Sequence, residues 1–330
     1  MHRILIIGTG SIGERHLRCL LATGRVMAGV VEVNPALRQD MASRYAVTAL
    51  FDSLEAALQE EWSAAVIATP APTHIPMARQ LVEAGIHLLI EKPLATNLTG
   101  VAELANLVRD RQLMAGVAYV YRAIPCLAAM RAAIVSGRFG KPVEIVAMAG
   151  QSFPHYRPAY REIYYRDRAQ GGGAIQDALT HVFNAGEWLV GPIERICVDA
   201  AHLALPGVTV EDTVHALTRQ GAVLGVYALN QHQAPNENTL TVVCERGTVR
   251  CELAANRWSW VTQPGGEWQV ETSGPVERDQ NFVRQAEAFL DALDGRGAPL
   301  CSLAEGIQTL RVNLAALESA DTGKGWVVVQ

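Results

Sequence analysis

Residues 3–16 read RILIIGTGSIGERH, and this stretch decides the fold class. The apolar run Ile4–Ile7 is typical of a short buried strand, and Gly8, Gly10 and Gly13 follow it with the spacing G-x-G-x-x-G. Helical spacing begins directly afterwards, so the glycines form a turn between a strand and a helix. In such a turn the first glycine permits the tight bend, the second lets a ligand approach the backbone, and the third lets the helix pack close to the strand.

The N-terminus of that helix, at Ser11 and Ile12, is suited to bind a pyrophosphate, because its free N–H groups and its dipole both attract anions. Glu32 ends the second predicted strand, where a carboxylate can accept hydrogen bonds from both ribose hydroxyls and repel a 2′-phosphate. These residues and the three glycines therefore predict a site for NAD. Arg38 lies close enough in sequence to serve NADP instead, and the remaining alternative is a sharp turn beside a surface glutamate.

Strand and helix patterns alternate through the first third of the chain. The strand-like runs are Arg3–Ile7, Val26–Glu32, Ala64–Ala68, His87–Glu91 and Leu113–Ala118. Strands that alternate with helices at this interval predict βαβ units and a parallel sheet. Their crossovers are expected to be right-handed.

After about Tyr119 the pattern changes to long helices and consecutive strands. Strands on short polar turns, as between Ile193 and Val270, pair antiparallel. The predicted helices of this part are Ile124–Ser136, Ala174–Val190, Gln280–Leu293 and Leu303–Ser319. We therefore predict two domains, residues 1–118 and residues 119–330, with the C-terminal helix able to pack back on the first domain.

Composition excludes several classes of protein. The 330 residues include 28 Lys+Arg and 33 Asp+Glu, so the chain lacks the basic surface of a nucleic-acid binder. No apolar run reaches the ~18 residues that a membrane span needs. The six cysteines are scattered without a C-x-x-C pair, which indicates neither a zinc site nor a disulfide framework. We expect a soluble, cytoplasmic protein with no nucleic-acid or membrane partner.

Two predicted strand ends carry Thr69-Pro70 followed by His74, and Glu91-Lys92. Ligands of open α/β sheets bind outside the carboxyl ends of the strands, so these residues are candidates for the cofactor site. Lys92 is expected where a nicotinamide should lie, and a cis bond to the following proline could aim its ammonium inward. Alternatively, Lys92 pairs with Glu91 on the surface. For His74, at a helix start, a capping or structural role is favoured over catalysis.

Asp177 and His181 lie four residues apart on a predicted helix and so share one face. Histidine exchanges a proton near neutral pH, and a lysine beside an oxidised nicotinamide loses its proton more readily because like charges repel. Oxidation of an alcohol needs such groups, so Lys92, Asp177 and His181 are the predicted catalytic residues. The alternatives are a solvated polar helix face, or half of a metal site that has no third ligand; we predict no metal.

These motifs, in this order, resemble the Gfo/Idh/MocA family (glucose–fructose oxidoreductase, inositol dehydrogenase and MocA) over nearly the whole chain. The matching pieces are the glycine turn with His16, Ala68-Thr69-Pro70 with His74, Glu91-Lys92-Pro93, Tyr119–Pro125 around Arg122, Gly137–Pro142, Gly171-Gly172-Gly173 with Asp177 and His181, and Ser302–Gly306. The chain departs from the family at Ala71 and Val120, where members often carry asparagine.

The resemblance implies an N-terminal α/β Rossmann domain and an α+β C-terminal domain with an open, mostly antiparallel sheet. It also implies that Lys92, Asp177 and His181 border the substrate, together with Tyr119 and Arg122. In several members the histidine takes the hydroxyl proton and the lysine hydrogen-bonds the reacting oxygen.

A loop rich in tyrosine and arginine, residues 155–168, precedes the predicted helix of Asp177. Arginine suits a carboxylate or phosphate, and tyrosine offers a flat surface with a polar tip. Tyr156, Arg157, Tyr160 and Arg161 are therefore candidates to contact an anionic or highly hydroxylated substrate. Alternatively, the loop packs against the sheet or against a neighbouring subunit.

The sequence thus predicts an NAD-dependent oxidoreductase that transfers a hydride between nicotinamide and a secondary alcohol or ketone of a sugar, cyclitol or sugar derivative. Two alternatives use the same fold: an NAD-dependent glycosidase that oxidises its substrate transiently, and a non-catalytic NAD(P)-binding regulator. The open sheet is expected to join copies of the chain into a homodimer or homotetramer.

Overall fold

The computed structural model describes residues 1–272, 274, 277 and 279–330. The chain divides into two compact units, Met1–Val120 with Glu277–Ile307, and Tyr121–Val276 with Gln308–Gln330. The sequence predicts a domain boundary between residues 118 and 119, and this boundary stays a prediction.

The first unit contains a parallel sheet in the strand order β3-β2-β1-β4-β5-β6, which is the Rossmann order. Its strands are β1 (His2–Ile7), β2 (Val26–Val31), β3 (Val47–Phe51), β4 (Ala64–Ile67), β5 (His87–Ile90) and β6 (Ala115–Val117). The predicted parallel α/β fold is confirmed. Val47–Phe51 was not among the predicted strands, although only Thr48 interrupts its apolar residues; as an edge strand it is only partly buried.

Helices connect these strands, and their buried side chains pack against those of the sheet. They are α1 (Ser11–Ala22), α2 (Pro35–Arg44), α3 (Leu54–Ala57), α4 (His74–Glu83) and α5 (Val101–Asp110). Leu17 and Leu20 of α1 pack with Ile4 and Ile6 of the central strand, and all four side chains are buried. This burial fixes α1 directly against the strand that precedes the glycine turn.

The second unit contains a nine-stranded sheet in the order β14-β13-β12-β11-β7-β10-β9-β8-β15. Its elements up to β14 are α6 (Pro125–Val135), β7 (Pro142–Gly150), α7 (Phe153–Tyr156), α8 (Thr180–Val190), β8 (Arg195–Ala201), β9 (Thr213–Gln220), β10 (Val223–Asn230), β11 (Glu237–Cys244), β12 (Gly247–Glu252), β13 (Arg257–Val261) and β14 (Gln269–Thr272). The pair β7–β10 is parallel, and every other adjacent pair in the described residues is antiparallel. The mostly antiparallel sheet predicted for this part is confirmed.

One face of this sheet is buried under α6 and α8, and the other is open. Tyr227 of β10 is fully buried, whereas Leu224 and Val226, on the opposite face of the same strand, are exposed. Leu217 of β9 pairs with Val226 and is also exposed, as is Met148 of β7. Alternation along a strand therefore leaves an apolar patch on the open face.

The predicted helix Ala174–Val190 forms, but it is not a continuous α-helix. Residues Ile175–Leu179 are π-helical and lead directly into α8. A π-turn is wider than an α-turn, so the α-helical geometry that the sequence predicted for Asp177 is wrong at this position.

The C-terminal elements are α9 (Gln280–Leu293), α10 (Leu303–Thr322) and β15 (Val327–Val328). The predicted bounds of α9 are confirmed, and α10 ends three residues beyond the predicted Ser319. In the first unit, Phe289 and Leu290 of α9 pack with Leu20 of α1. Among the described residues, no helix combines the length and the apolar character of a membrane span.

Candidate functional site

The glycine turn requires glycine at two positions for different reasons. Gly8 has a φ of +83°, a left-handed conformation that favours glycine. A Cβ on Gly13 would lie 1.9 Å from the carbonyl oxygen of Gly8, so only glycine allows this close packing of α1. A Cβ on Gly10 would meet no protein atom within 4 Å. The fold therefore leaves open space at the second glycine, as the approach of a dinucleotide requires.

The N-terminus of α1 completes this cradle. The helix begins at Ser11, and the residue before it, Gly10, has no side chain to cap the first N–H groups. Ile12 follows in the first turn. These N–H groups and the helix dipole fit the pyrophosphate of a dinucleotide.

Glu32 lies at the end of β2 as predicted, and three hydrogen bonds hold its buried carboxylate. Thr9 donates through its backbone N–H and its hydroxyl to Oε2, and the Asn34 N–H donates to Oε1, at 2.8–2.9 Å. Burial favours a higher pKa for Glu32, but the hydrogen bonds outweigh it and lower the pKa below its ordinary value. Arg38 donates to the backbone carbonyl of Glu32. The carboxylate and the arginine that bear on the choice between NAD and NADP therefore lie side by side.

His74 links the two strand-end segments that the sequence singled out. Its Nε2 lies 2.8 Å from the carbonyl oxygen of Thr69, and its Nδ1 lies 3.1 Å from that of Pro93. Burial lowers the pKa of His74. Pro70 lies on the surface directly after Thr69. The structural role that the sequence favoured for His74 agrees with these two backbone contacts.

Glu91 is buried, so it does not pair with Lys92 on the surface. Its Oε1 lies 2.6 Å from Nε2 of His16 on α1, and its Oε2 accepts the backbone N–H of Lys92 at 2.9 Å. Burial favours a higher pKa for Glu91, but its contacts with His16 and Lys92 lower it. The peptide bond between Lys92 and Pro93 is cis. Glu91 thus ties the Lys92 backbone to the helix of the glycine turn.

In the second unit, Glu211 fixes the start of the helix that carries Asp177. Its Oε1 accepts the N–H of Ile175 at 3.1 Å, and its Oε2 accepts Nε of Arg168 at 2.7 Å. Gly173 has a φ of +86°, and a Cβ there would lie 2.4 Å from Glu211 Oε1. Gly173 therefore makes room for the carboxylate of Glu211, which caps the start of this helix.

Asp177 is fully buried and is held by two residues of the tyrosine- and arginine-rich loop. The Tyr164 hydroxyl donates to Oδ1 at 2.5 Å, and Nη1 of Arg157 lies 3.2 Å from Oδ2. The charge of Asp177 raises the pKa of Arg157, whose side chain is 49% exposed. Arg157 can therefore neutralise the buried acid and still present N–H groups to solvent or to a ligand.

His181, one turn further along, stacks on an aromatic ring. Its imidazole lies over the ring of Tyr121, with centroids 4.8 Å apart and planes inclined by 18°. Nδ2 of Asn238 on β11 donates to the Tyr121 hydroxyl at 2.7 Å. Burial raises the pKa of Tyr121, which keeps the phenol neutral.

The other predicted substrate residues fall into different surroundings. Tyr119 is buried in the first unit. Arg122 is buried in the second, where its Nε donates to Oδ1 of Asn184 at 2.9 Å. Tyr156 is exposed.

Tyr160 and Arg161 share a contact with the backbone. The Tyr160 hydroxyl and Nε of Arg161 both donate to the carbonyl oxygen of Pro206, at 2.7 and 2.9 Å. Tyr160 is buried with Phe153 and Tyr165 in a small cluster. This part of the loop therefore packs on the Pro206 carbonyl and on a small cluster of buried side chains of its own unit.

Several residues of these sites had no individual signal in the sequence. Tyr164 lies in the loop that was singled out, but nothing distinguished it from the neighbouring tyrosines. Tyr121 and Glu211 reach the helix of Asp177 from distant parts of the chain, and Asn238 reaches Tyr121. No group of three or more metal-ligating side chains occurs among the described residues.

Two family models match the chain. The "Oxidoreductase family, NAD-binding Rossmann fold" model matches residues 2–119, and the "GFO/IDH/MocA C-terminal domain" model matches residues 127–250. The chain belongs to the Gfo/Idh/MocA oxidoreductase family.

Relatives in this family cover almost the full length of the chain at low identity. Myo-inositol dehydrogenase Hyg17 of Streptomyces leeuwenhoekii is 26% identical and covers 97% of this chain and 98% of its own. Levoglucosan dehydrogenase of Pseudarthrobacter phenanthrenivorans is also 26% identical, over 98% and 97%. This Gfo/Idh/MocA member is thus an NAD-binding oxidoreductase related to sugar and inositol dehydrogenases.

Solved structures of the family share the fold. Levoglucosan dehydrogenase in complex with NADH superposes with a TM-score of 0.91 at 20% identity, over 100% of this chain and 99% of that one. The WlbA dehydrogenase of Bordetella pertussis, in complex with NADH and UDP-GlcNAcA, gives 0.85 at 25% identity, over 100% and 98%.

Proposed function

We propose that this Gfo/Idh/MocA member is an NAD-dependent dehydrogenase or reductase that interconverts a secondary alcohol and a ketone on a sugar, cyclitol or sugar derivative. The observation that carries the proposal is the buried Asp177 carboxylate, held by Arg157 and Tyr164, on the same helix as the stacked imidazole of His181. Buried ionisable groups with a specific charged partner are concentrated at functional sites.

We propose that His181 exchanges the proton of the substrate hydroxyl and that Lys92 hydrogen-bonds the reacting oxygen. Asp177 orients the hydroxyl or its neighbours. When bound, the nicotinamide supplies the acceptor or donor of the hydride. Arg157 contacts further oxygens of the substrate, because its half-exposed guanidinium has N–H groups beyond the one that faces Asp177. Tyr156 remains a proposed substrate contact because it is exposed. Tyr119 and Arg122 have less support because both side chains are buried, and Tyr160 and Arg161 have less support because both bind the Pro206 carbonyl.

NAD rather than NADP is the proposed cofactor. Glu32 presents a carboxylate whose lowered pKa keeps it negative at neutral pH, so it accepts from ribose hydroxyls and repels a 2′-phosphate. The glycines, Ser11 and Ile12 are proposed to hold the pyrophosphate. Thr69, Pro70 and His74 are proposed to border the cofactor, with Glu91 acting through the Lys92 backbone.

The chain is proposed to form a homodimer or homotetramer through the open face of its nine-stranded sheet. Met148, Leu217, Leu224 and Val226 expose an apolar patch there, and such patches on soluble proteins commonly mark interfaces. Light scattering at micromolar concentration is expected to report an oligomer, and replacing Leu217 and Leu224 with aspartate is expected to shift it toward monomer. A monomer for the unaltered chain would contradict this assembly.

The catalytic proposal is tested with a panel of myo-inositol, levoglucosan and D-xylose, following NADH absorbance. His181→Asn and Lys92→Met are each expected to lower kcat by ~10²–10⁴, because a placed proton-transfer group contributes about that much. The Kd for NADH is expected to stay within about threefold, since neither substitution touches the glycine turn.

Other outcomes would identify the alternatives. Turnover of a nitrophenyl glycoside without net NADH would indicate a glycosidase. NADH binding without redox activity on any panel member or sugar acid would indicate a regulator.

A further inference from the structure

The stacking of Tyr121 on His181 is more than close packing, because the two ring planes are nearly parallel. With centroids 4.8 Å apart and an inclination of 18°, the phenol covers one face of the imidazole. An imidazole turns about its Cβ–Cγ bond with few restrictions of its own. A parallel neighbour restricts this rotation, since turning the ring would drive one edge into the phenol.

Tyr121 is itself held in place by a residue of strand β11. Asn238 on β11 donates to the Tyr121 hydroxyl at 2.7 Å. Its Oδ1 is buried and accepts no hydrogen bond among the described residues, so the bond to Tyr121 is the only side-chain hydrogen bond that Asn238 makes there. Among the described residues, the side chain of Asn238 therefore makes its hydrogen bond to Tyr121 alone.

From this arrangement we infer that Tyr121 is a positioning residue for His181, and that Asn238 holds the Tyr121 ring in place through its hydroxyl. The inference rests on the proposed function, in which His181 exchanges the substrate proton. Tyr121 sets the plane of the imidazole so that its reactive nitrogen stays directed at the hydroxyl. Asn238 acts one step further away, through the Tyr121 hydroxyl.

The stacking of Tyr121 on His181 and the hydrogen bond from Asn238 are expected to differ in their effect on the rate. Loss of the phenol ring removes the stacking contact that limits rotation of the imidazole, and a displacement of about 1 Å at a reacting group can cost up to about 10²-fold in rate. Loss of the Asn238 hydrogen bond leaves the stack in place and costs about threefold, as expected for one ordinary hydrogen bond. Tyr121→Phe removes only this bond, so it is the conservative variant.

The geometry is tested first without any substrate, by NMR of the imidazole protons in histidine-labelled protein. His181→Asn identifies the His181 resonances by their loss. Tyr121→Ala is expected to move these resonances downfield, because protons over the face of a phenol ring are shielded by it. Tyr121→Phe is expected to leave them nearly unchanged. Resonances that do not respond to Tyr121→Ala would show that the stack is absent in solution, which would overturn the inference.

The consequence for turnover is then measured on whichever of myo-inositol, levoglucosan and D-xylose is oxidised. Tyr121→Ala is expected to lower kcat by about 10–100-fold with little change in KM. Tyr121→Phe and Asn238→Ala are expected to lose about threefold each, and the double variant no more than either alone, because both remove the same hydrogen bond.

A further variant separates positioning from simple stability. Tyr121→Ala added to His181→Asn is expected to cause no additional loss of kcat, since Tyr121 acts through the imidazole. An additive loss, or a loss of NADH affinity equal to the loss of kcat, would overturn the inference and assign Tyr121 to another contact. If His181→Asn alone leaves turnover unchanged, the proposed function fails instead, whatever Tyr121 does.

Discussion

The glycine turn of the first unit and the helix of Asp177 in the second are built in opposite ways. The turn is made of backbone: Gly8, Gly10 and Gly13 lie within six residues and create space, close packing and free N–H groups. The helix of Asp177 and His181 depends on side chains that come from other parts of the chain. A local backbone site is encoded by spacing alone, whereas a side-chain site needs the assembled fold.

This difference predicts separate consequences of substitution in the two regions. Changes around the glycine turn should alter the stability of the first unit and its affinity for the dinucleotide. Changes around the helix of Asp177 should alter turnover while the dinucleotide still binds. The four substitutions below run from the largest expected effect to the smallest.

His16→Ala is expected to destabilise the protein by about 3–5 kcal/mol, because it leaves the buried Glu91 carboxylate without its partner. His16→Gln is the control, since its amide can still donate to Glu91 and should cost much less. Urea unfolding of both variants measures the difference. Equal losses would show that the hydrogen bond contributes little and that the ring is needed only for packing.

Gly13→Ala is expected to cost at least about 2 kcal/mol, because its Cβ would overlap the backbone of Gly8. Gly10→Ala is the matched control: it meets no protein atom, so stability should change by less than about 0.5 kcal/mol. Both variants should weaken NADH binding by roughly tenfold or more. Normal NADH affinity in Gly10→Ala would place the dinucleotide elsewhere.

Glu211→Ala is expected to cost about 1–3 kcal/mol, because the N–H of Ile175 and the guanidinium of Arg168 lose their acceptor. Glu211→Gln keeps an acceptor oxygen for Ile175 and should cost less. In both variants kcat should fall while the Kd for NADH is unchanged. A matching loss of NADH affinity would contradict the separation of the two regions.

Glu32→Gln is expected to have the smallest effect on stability, about 1 kcal/mol at neutral pH, since the amide keeps one acceptor oxygen. The pKa of Glu32 is lowered in the folded state, so its contribution is present above the ordinary value of 4.5 and is lost as the pH falls below it. Thermal unfolding of the unaltered protein and of Glu32→Gln, measured from neutral pH to below 4.5, should show that the difference between their Tm values becomes smaller toward low pH. A gap independent of pH would exclude the charge as its origin.

Much of the fold could be predicted because its signals are local. The parallel sheet, the antiparallel strands and the bounds of α9 all follow from runs and spacings within about twenty residues. The edge strand Val47–Phe51 was missed: only Thr48 interrupts its apolar residues, but its side chains alternate between partial burial and exposure, which the residue types do not reveal. The π-turn at Ile175–Leu179 has no compositional signal either.

The candidate site was predictable only in part, for the same reason. Asp177, His181 and Arg157 have side chains that suggest chemistry, and the structure brings Arg157 to Asp177. In the sequence, nothing distinguishes Tyr160 and Arg161 from the other tyrosines and arginines of the loop, yet both donate to the carbonyl of Pro206. Which tyrosine of a loop meets a carboxylate depends on how the loop folds over its own core.

The sequence by itself determined the dinucleotide cradle and the two kinds of sheet, because steric limits on glycine and the period of apolar residues act over short stretches of chain. Tertiary structure alone decided that Glu211 caps the helix of Asp177 and that Asn238 holds the tyrosine stacked on His181. Contacts between residues so distant in sequence form only when burial of the core has already fixed the elements that carry them.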